Sequence, residues 1–199
     1  MYNNKIFSKI NNIKVRFHDL LKIQKKRAPK TAIKIEKMCL NTKFSHKYIF
    51  NFLFILFSFL LKKKSAKYIF HGLKYHEIIS LFDPKEVLIL ASRSEIEYCK
   101  KNNYQYHWIG YLYYSAIYFL SKKNNFFLIK SINIIKKIIN PNDQKLKYLF
   151  LHSSHELSGM ILSEAFNDNK YIKTVCIYHA YIQTMKKNFP RLLDINCQY

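Results

Sequence analysis

The stretch KEVLILASRSEIEY, residues 85–98, decides the fold. Val87, Leu88, Ile89 and Leu90 form a short unbroken apolar run after Pro84, as in a strand buried on both faces. Ser92, Arg93, Ser94 and Glu95 then supply the Ser-x-x-Glu spacing of a capping box, in which the two end side chains satisfy backbone N–H groups at a helix start. A strand, a tight turn and a helix, if repeated, build a parallel α/β sheet whose functional groups gather where strands end and helices begin.

The pattern does repeat outward from that stretch. Upstream, KYIFHG at 67–72 reads as a strand, and a short helix at 76–81 is stopped by Asp83 and Pro84. Downstream, YQYHWIG at 104–110 is a third strand, and 111–139 has apolar residues at helical spacing with a polar break at 121–125, which predicts two helices. KYLFLH at 147–152 is a fourth strand. Ser153 and Glu156 repeat the capping spacing before a helix through Phe166, and TVCIYH at 174–179 is a fifth strand. Each crossover is long enough for a helix, so the strands pair in parallel. The expected fold is therefore α/β, a Rossmann-like parallel sheet of about five strands with flanking helices over 65–199, preceded by a basic helical N-terminal segment over 1–64.

That N-terminal segment carries most of the charge. The chain has 199 residues and a net charge of +22; residues 1–67 hold 17 basic and 2 acidic side chains, and the remainder is only mildly basic. Ile6, Ile10, Ile13, Val15, Phe17, Leu20, Leu21 and Ile23 fall mostly three or four apart, giving a basic amphipathic helix suited to an anionic membrane surface, a partner groove or packing on the domain. The pattern breaks at Ala28 and Pro29, and a second helical segment is expected over 31–40. YIFNFLFILFSFLL at 48–61, closed by Lys62, Lys63 and Lys64, is the most apolar stretch. As a helix it would cover only about 21 Å of a roughly 30 Å hydrocarbon core. Two readings stand, an interfacial anchor held by flanking lysines or a buried core helix, and the flanking charge favours the anchor.

Composition removes several classes. An apolar content of 49% argues against disorder. Lysine outnumbers arginine 30 to 4, which matches an A/T-rich coding bias as well as an anionic partner, and no RNA- or DNA-binding motif accompanies the charge. Nucleic acid is thus a disfavoured partner, although a basic nucleic-acid-binding protein and a membrane scaffold remain the rival readings. Cys39, Cys99, Cys176 and Cys197 are too scattered for a zinc site or disulfide framework, so no metal is expected and a reducing cytoplasm fits. The N-terminus lacks the apolar core of a secretory signal. There is no GxGxxG, GxxxxGK[ST], HExxH or GxSxG pattern, so the classical dinucleotide, P-loop, zincin and hydrolase readings lose their usual support.

In a doubly wound sheet, ligands bind at the C-terminal strand ends. Collecting those ends gives His71 and Gly72; Ser92 and Arg93; Gly110 and Tyr111; the run Ser153, Ser154, His155 and Glu156; and His179. Three of the five carry a histidine. His155, Glu156 and His179 are the candidate catalytic groups, able to move protons near neutral pH. His71, Ser92, Arg93, Ser153 and Ser154 are the candidate binding groups. A strand-end histidine can equally pack against its neighbours, and Ser153 and Glu156 can simply cap a helix. Arg93 lies in the turn before a helix N-terminus, where N–H groups favour a phosphate or carboxylate, or else it pairs with Glu95 or Glu97.

The sheet pattern from residue 67 onward and the run TVCIYHAYIQ at 174–183 resemble the N-terminal half of bacterial surface-polysaccharide glycosyltransferases of the two-domain GT-B type, including capsule and lipooligosaccharide sialyltransferase-like enzymes. A late strand of the first domain in such enzymes often ends in His-Gly; His179 matches and Ala180 departs. The resemblance implies an acceptor-side domain that helps transfer sugar from a nucleotide-sugar donor, a substrate and not a cofactor, to a glycan or lipid-linked acceptor. It also implies a peripheral position at the cytoplasmic face of the inner membrane. A GT-B enzyme needs a second Rossmann-like domain, expected where the chain stops at Tyr199 and thus encoded separately or lost by truncation.

Overall fold

A computed structural model describes residues 2–27, 29–30, 33, 37, 46–74, 76–122, 124–139, 145–151 and 157–177. Within these, β1 (Tyr68–His71), β2 (Val87–Ala91), β3 (Gln105–Trp108), β4 (Lys147–Leu151) and β5 (Ile172–Cys176) form one sheet, ordered β3-β2-β1-β4-β5 with every pairing parallel. This is the doubly wound, Rossmann-like arrangement. The apolar run of β2 explains its place: all five of its residues are buried, as a strand with neighbours on both edges and helices on both faces requires.

The sheet separates two cores because side chains alternate along each strand. Ile69, Leu88, Leu90, Leu149 and Leu151 enter the larger core, while Phe70, Val87, Ile89 and Ala91 enter the smaller one. On the smaller side lie two short helices, α3 (His76–Ile79) and α4 (Ile96–Lys101), with Phe70 stacked on Phe150 at a 4.5 Å centroid separation. On the larger side lie α5 (Gly110–Lys122), α6 (Phe126–Ile139) and α7 (Leu157–Phe166). The polar break expected at 121–125 is the point where α5 yields to α6. Ser115 and Ser131, both fully buried, join those two helices by a 2.8 Å hydrogen bond.

Among the described residues, two N-terminal helices contribute to the larger core. These are α1 (Tyr2–Arg27) and α2 (His46–Leu56), the second prolonged by a 3-10 turn over Phe57–Leu60. The stripe Ile10, Ile13, Phe17, Leu21 and Ile23 of α1 is buried in the same cluster as the sheet. A buried ion pair fixes α1 against α7: Arg16 Nη1 donates to Glu164 Oε1 at 2.7 Å. Helix α2 places Phe52 in parallel contact with Phe127, centroids 3.7 Å apart. Lys147 at the start of β4 is buried and donates to the Ile139 carbonyl at 2.6 Å, so a cation meets the C-terminal end of α6, where the helix dipole favours one.

Strand β5 begins at Ile172, two residues before the expected start, and pairs Ile172 with Lys147 through Cys176 with Leu151. The apolar content of 174–179 drew the expectation late, whereas the start is set by the turn at 167–171, where Asn169 Oδ1 accepts from the Tyr171 N–H at 2.9 Å. The helix expected over 31–40 lies outside the described residues apart from positions 33 and 37.

Candidate functional site

The strand order places the topological switch between β1 and β4. From β1 the chain winds to β2 and β3 on one side, then returns to β4 and β5 on the other, and it is at such a switch point that open parallel sheets take their ligands. His71, the last residue of β1, is buried beside it, and its Nε2 lies 2.9 Å from Ser158 Oγ in the first turn of α7. One hydrogen bond therefore joins the exit of β1 to the helix that follows β4. Such a pair fixes the imidazole and offers a hydroxyl through which a proton can pass to or from a bound group.

On the β2 side of β1 the turn is held by Glu95. Its Oε2 accepts the Ser92 N–H at 2.7 Å, the glutamate half of the expected capping box. Its Oε1 accepts the Leu73 N–H, also at 2.7 Å. Gly72 between them has φ of +79°, and a Cβ there would stand 3.0 Å from Glu95 Oε1. Glycine is needed twice over, for the left-handed backbone and for the approach of the carboxylate. An internal carboxylate thus takes the N–H groups that an external anion would use at this turn. Arg93 and Ser92 are exposed next to it, and among the described residues Arg93 forms no ion pair with Glu95 or Glu97.

Ser153, Ser154, His155, Glu156 and His179 lie outside the described residues. Of the expected site residues, the structure places His71 at the switch point and Ser92 with Arg93 at the end of β2, one strand over. It adds Ser158, in the first turn of α7, and a second contact of Glu95, whose capping of the helix start was expected but whose bond to the Leu73 N–H was not.

A second polar cluster sits under β3. His107 is buried, with Nε2 2.8 Å from the Tyr111 hydroxyl, and Phe54 of α2 lies over the tyrosine ring at 5.0 Å. Burial, aided by the charge of Lys64, lowers the His107 pKa to about 4, and burial pushes the Tyr111 hydroxyl well above its ordinary range. Both are neutral at physiological pH, which suits an interior strut. Cys99 is likewise buried, its thiol raised to about 11 by burial and by the Glu95 charge. A gap between α1, α6 and α7, lined by Ile10, Ile13, Asn133 and Glu164, measures about 20 Å³, the size of one water site. It is too small for a substrate.

No family model matches the chain. Neither a characterised protein nor a solved structure matches it significantly. Among the described residues, no three histidine, cysteine, aspartate or glutamate side chains converge as a metal-ligand group, and no helix is long and apolar enough to cross a membrane.

Proposed function

We propose that the chain is the acceptor-side domain of a membrane-peripheral glycosyltransferase of the two-domain type, working in capsule or lipooligosaccharide assembly. In this reading a nucleotide-sugar is the donor and a glycan or lipid-linked saccharide is the acceptor. The observation that carries it is the hydrogen bond between His71 and Ser158 across the switch point, because this is where an open parallel sheet receives its ligand. Support comes also from the all-parallel topology and from the likeness of TVCIYHAYIQ at 174–183 to the late strand of such domains. His155, Glu156 and His179 are the groups proposed to take the proton of the acceptor hydroxyl, with His71, Ser153, Ser154 and Arg93 holding the saccharide and its anionic groups. The protein works at the cytoplasmic face of the inner membrane.

The test uses membranes from cells that make the chain. Incubated with labelled nucleotide-sugars, they should move label into lipid-linked or glycan material, and His71→Ala or His179→Ala should lower that transfer at least tenfold, the usual scale for a lost acid–base or positioning group. Equal transfer by membranes lacking the chain would contradict the reading.

A further inference from the structure

Helix α2 is apolar on two opposite sides. Phe52 and Ile55 face the core and are 6% and 2% exposed. Ile49, Phe50, Leu53, Leu56, Phe57 and Leu60 face outward, at 47%, 69%, 47%, 58%, 58% and 69% exposure. At about 100° per residue, the four of these on the helix proper fall within an arc of about 120°, and the 3-10 turn continues the ridge. Isolated exposed apolar side chains are ordinary, but a contiguous ridge of six large ones on a charged protein marks a contact surface.

We infer that this ridge is a seat in an anionic lipid surface, with α2 lying in the membrane plane. The inference rests on the membrane-peripheral reading above and assigns its contact residues. Charge complementarity selects the occupant. The ridge ends at Lys62 and Lys63, both exposed, and the sequence has no aspartate or glutamate between Glu36 and Glu77, an interval that holds eight lysines. Acidic headgroups satisfy Lys62 and Lys63 while acyl chains receive the phenylalanines and leucines. The surface is a convex helix face rather than a groove, so a fluid bilayer conforms to it without a shaped partner. Length agrees with an in-plane position, since the twelve residues of 49–60 rise only about 18 Å against the roughly 30 Å of hydrocarbon needed to span. The other side of the same helix bears Phe54, which meets Trp108 at the end of β3 with centroids 5.2 Å apart. The seated helix therefore holds the strand-end edge of the sheet close to the membrane, where a lipid-linked acceptor would be found.

Co-sedimentation of the full chain with vesicles tests this, using phosphatidylcholine alone and phosphatidylcholine mixed with phosphatidylglycerol. The wild-type chain should bind the mixed vesicles well above the neutral ones. Phe50→Ser with Phe57→Ser should weaken binding to the mixed vesicles at least tenfold. Lys62→Gln with Lys63→Gln should weaken it about fivefold per charge and leave the small neutral-vesicle binding unchanged. Unchanged far-ultraviolet circular dichroism, expected because all four side chains point to solvent, confirms that the variants fold. Wild-type binding that survives both double substitutions would overturn the α2 seat and leave a peripheral protein anchored elsewhere. Absence of wild-type binding would overturn the seat and the peripheral reading together. A wild-type dimer that ignores vesicles and is dissolved by Phe50→Ser with Phe57→Ser would overturn the seat in favour of self-association.

Discussion

Arg16 Nη1 lies 2.7 Å from Glu164 Oε1, a buried ion pair between residues 148 apart in the chain. It ties the basic N-terminal helix to the helix that follows β4. Removing one partner of such a pair leaves an uncompensated buried charge, which costs about 3–5 kcal/mol, whereas replacing both by apolar groups of similar volume is often neutral. Arg16→Ala, which strips Glu164 of this partner, should lower the denaturation midpoint sharply. Arg16→Met combined with Glu164→Leu should recover most of the loss, as read by urea unfolding.

The turn after β1 gives a second prediction. Gly72→Ala forces a Cβ into a left-handed backbone and against Glu95, so it should cost about 1–3 kcal/mol. Combining it with Glu95→Ala removes the contact but not the backbone strain. The double-mutant cycle should therefore show coupling of more than about 0.5 kcal/mol, and strict additivity would mean that the contact with the carboxylate is immaterial.

His107 predicts a pH response. Its folded pKa is lowered to about 4 from an ordinary 6.5, so between those values the unfolded chain holds a proton that the folded chain does not. Stability therefore falls as pH drops from about 6.5 and reaches its full loss of about 3 kcal/mol near pH 4. His107→Gln should flatten this part of the stability profile. A profile with the same slope in the variant would assign the acid sensitivity to other groups.

Cys99 should resist alkylation. Its thiol is buried and raised to about 11, so little thiolate is present at pH 8. Mass spectrometry after an iodoacetamide pulse should show Cys99 unmodified in the native protein and modified once denatured. Native modification at Cys99 would mean that the smaller core opens readily.

The sheet was legible because local signals sufficed for it. Val87 to Leu90 carried the unbroken apolar run of a doubly buried strand after Pro84, and the spacing of Ser92 to Glu95 marked the next helix. The offset in β5 shows the limit of that logic, since an edge strand in which only Ile172 is buried takes its register from a turn and from β4 rather than from its own apolar run. The apolar stripe of α1 was readable, but not its destination, because the partner of Arg16 is set by topology. His107 and Tyr111 are four apart across a strand-to-helix junction, a spacing that carries no signal in sequence. At the candidate site, His71 was found from its place at a strand end, while Ser158 and the second contact of Glu95 depend on neighbouring loops. The stretch at 48–61 had two readings in sequence, anchor or core; Phe52 and Ile55 are buried in the core, while Phe50 and Phe57 are exposed.

The claim on which the functional reading depends is that ligand enters between the ends of β1 and β4. Amide NMR spectra of the full chain, titrated with a panel of nucleotide-sugars and acidic oligosaccharides, test it most directly. The account predicts that a binding member of the panel shifts the amides of His71, Gly72, Leu73 and Ser158 before any others, and that His71→Ala weakens that binding at least tenfold. Shifts confined to α1 and α2, or none with any member of the panel, would contradict it.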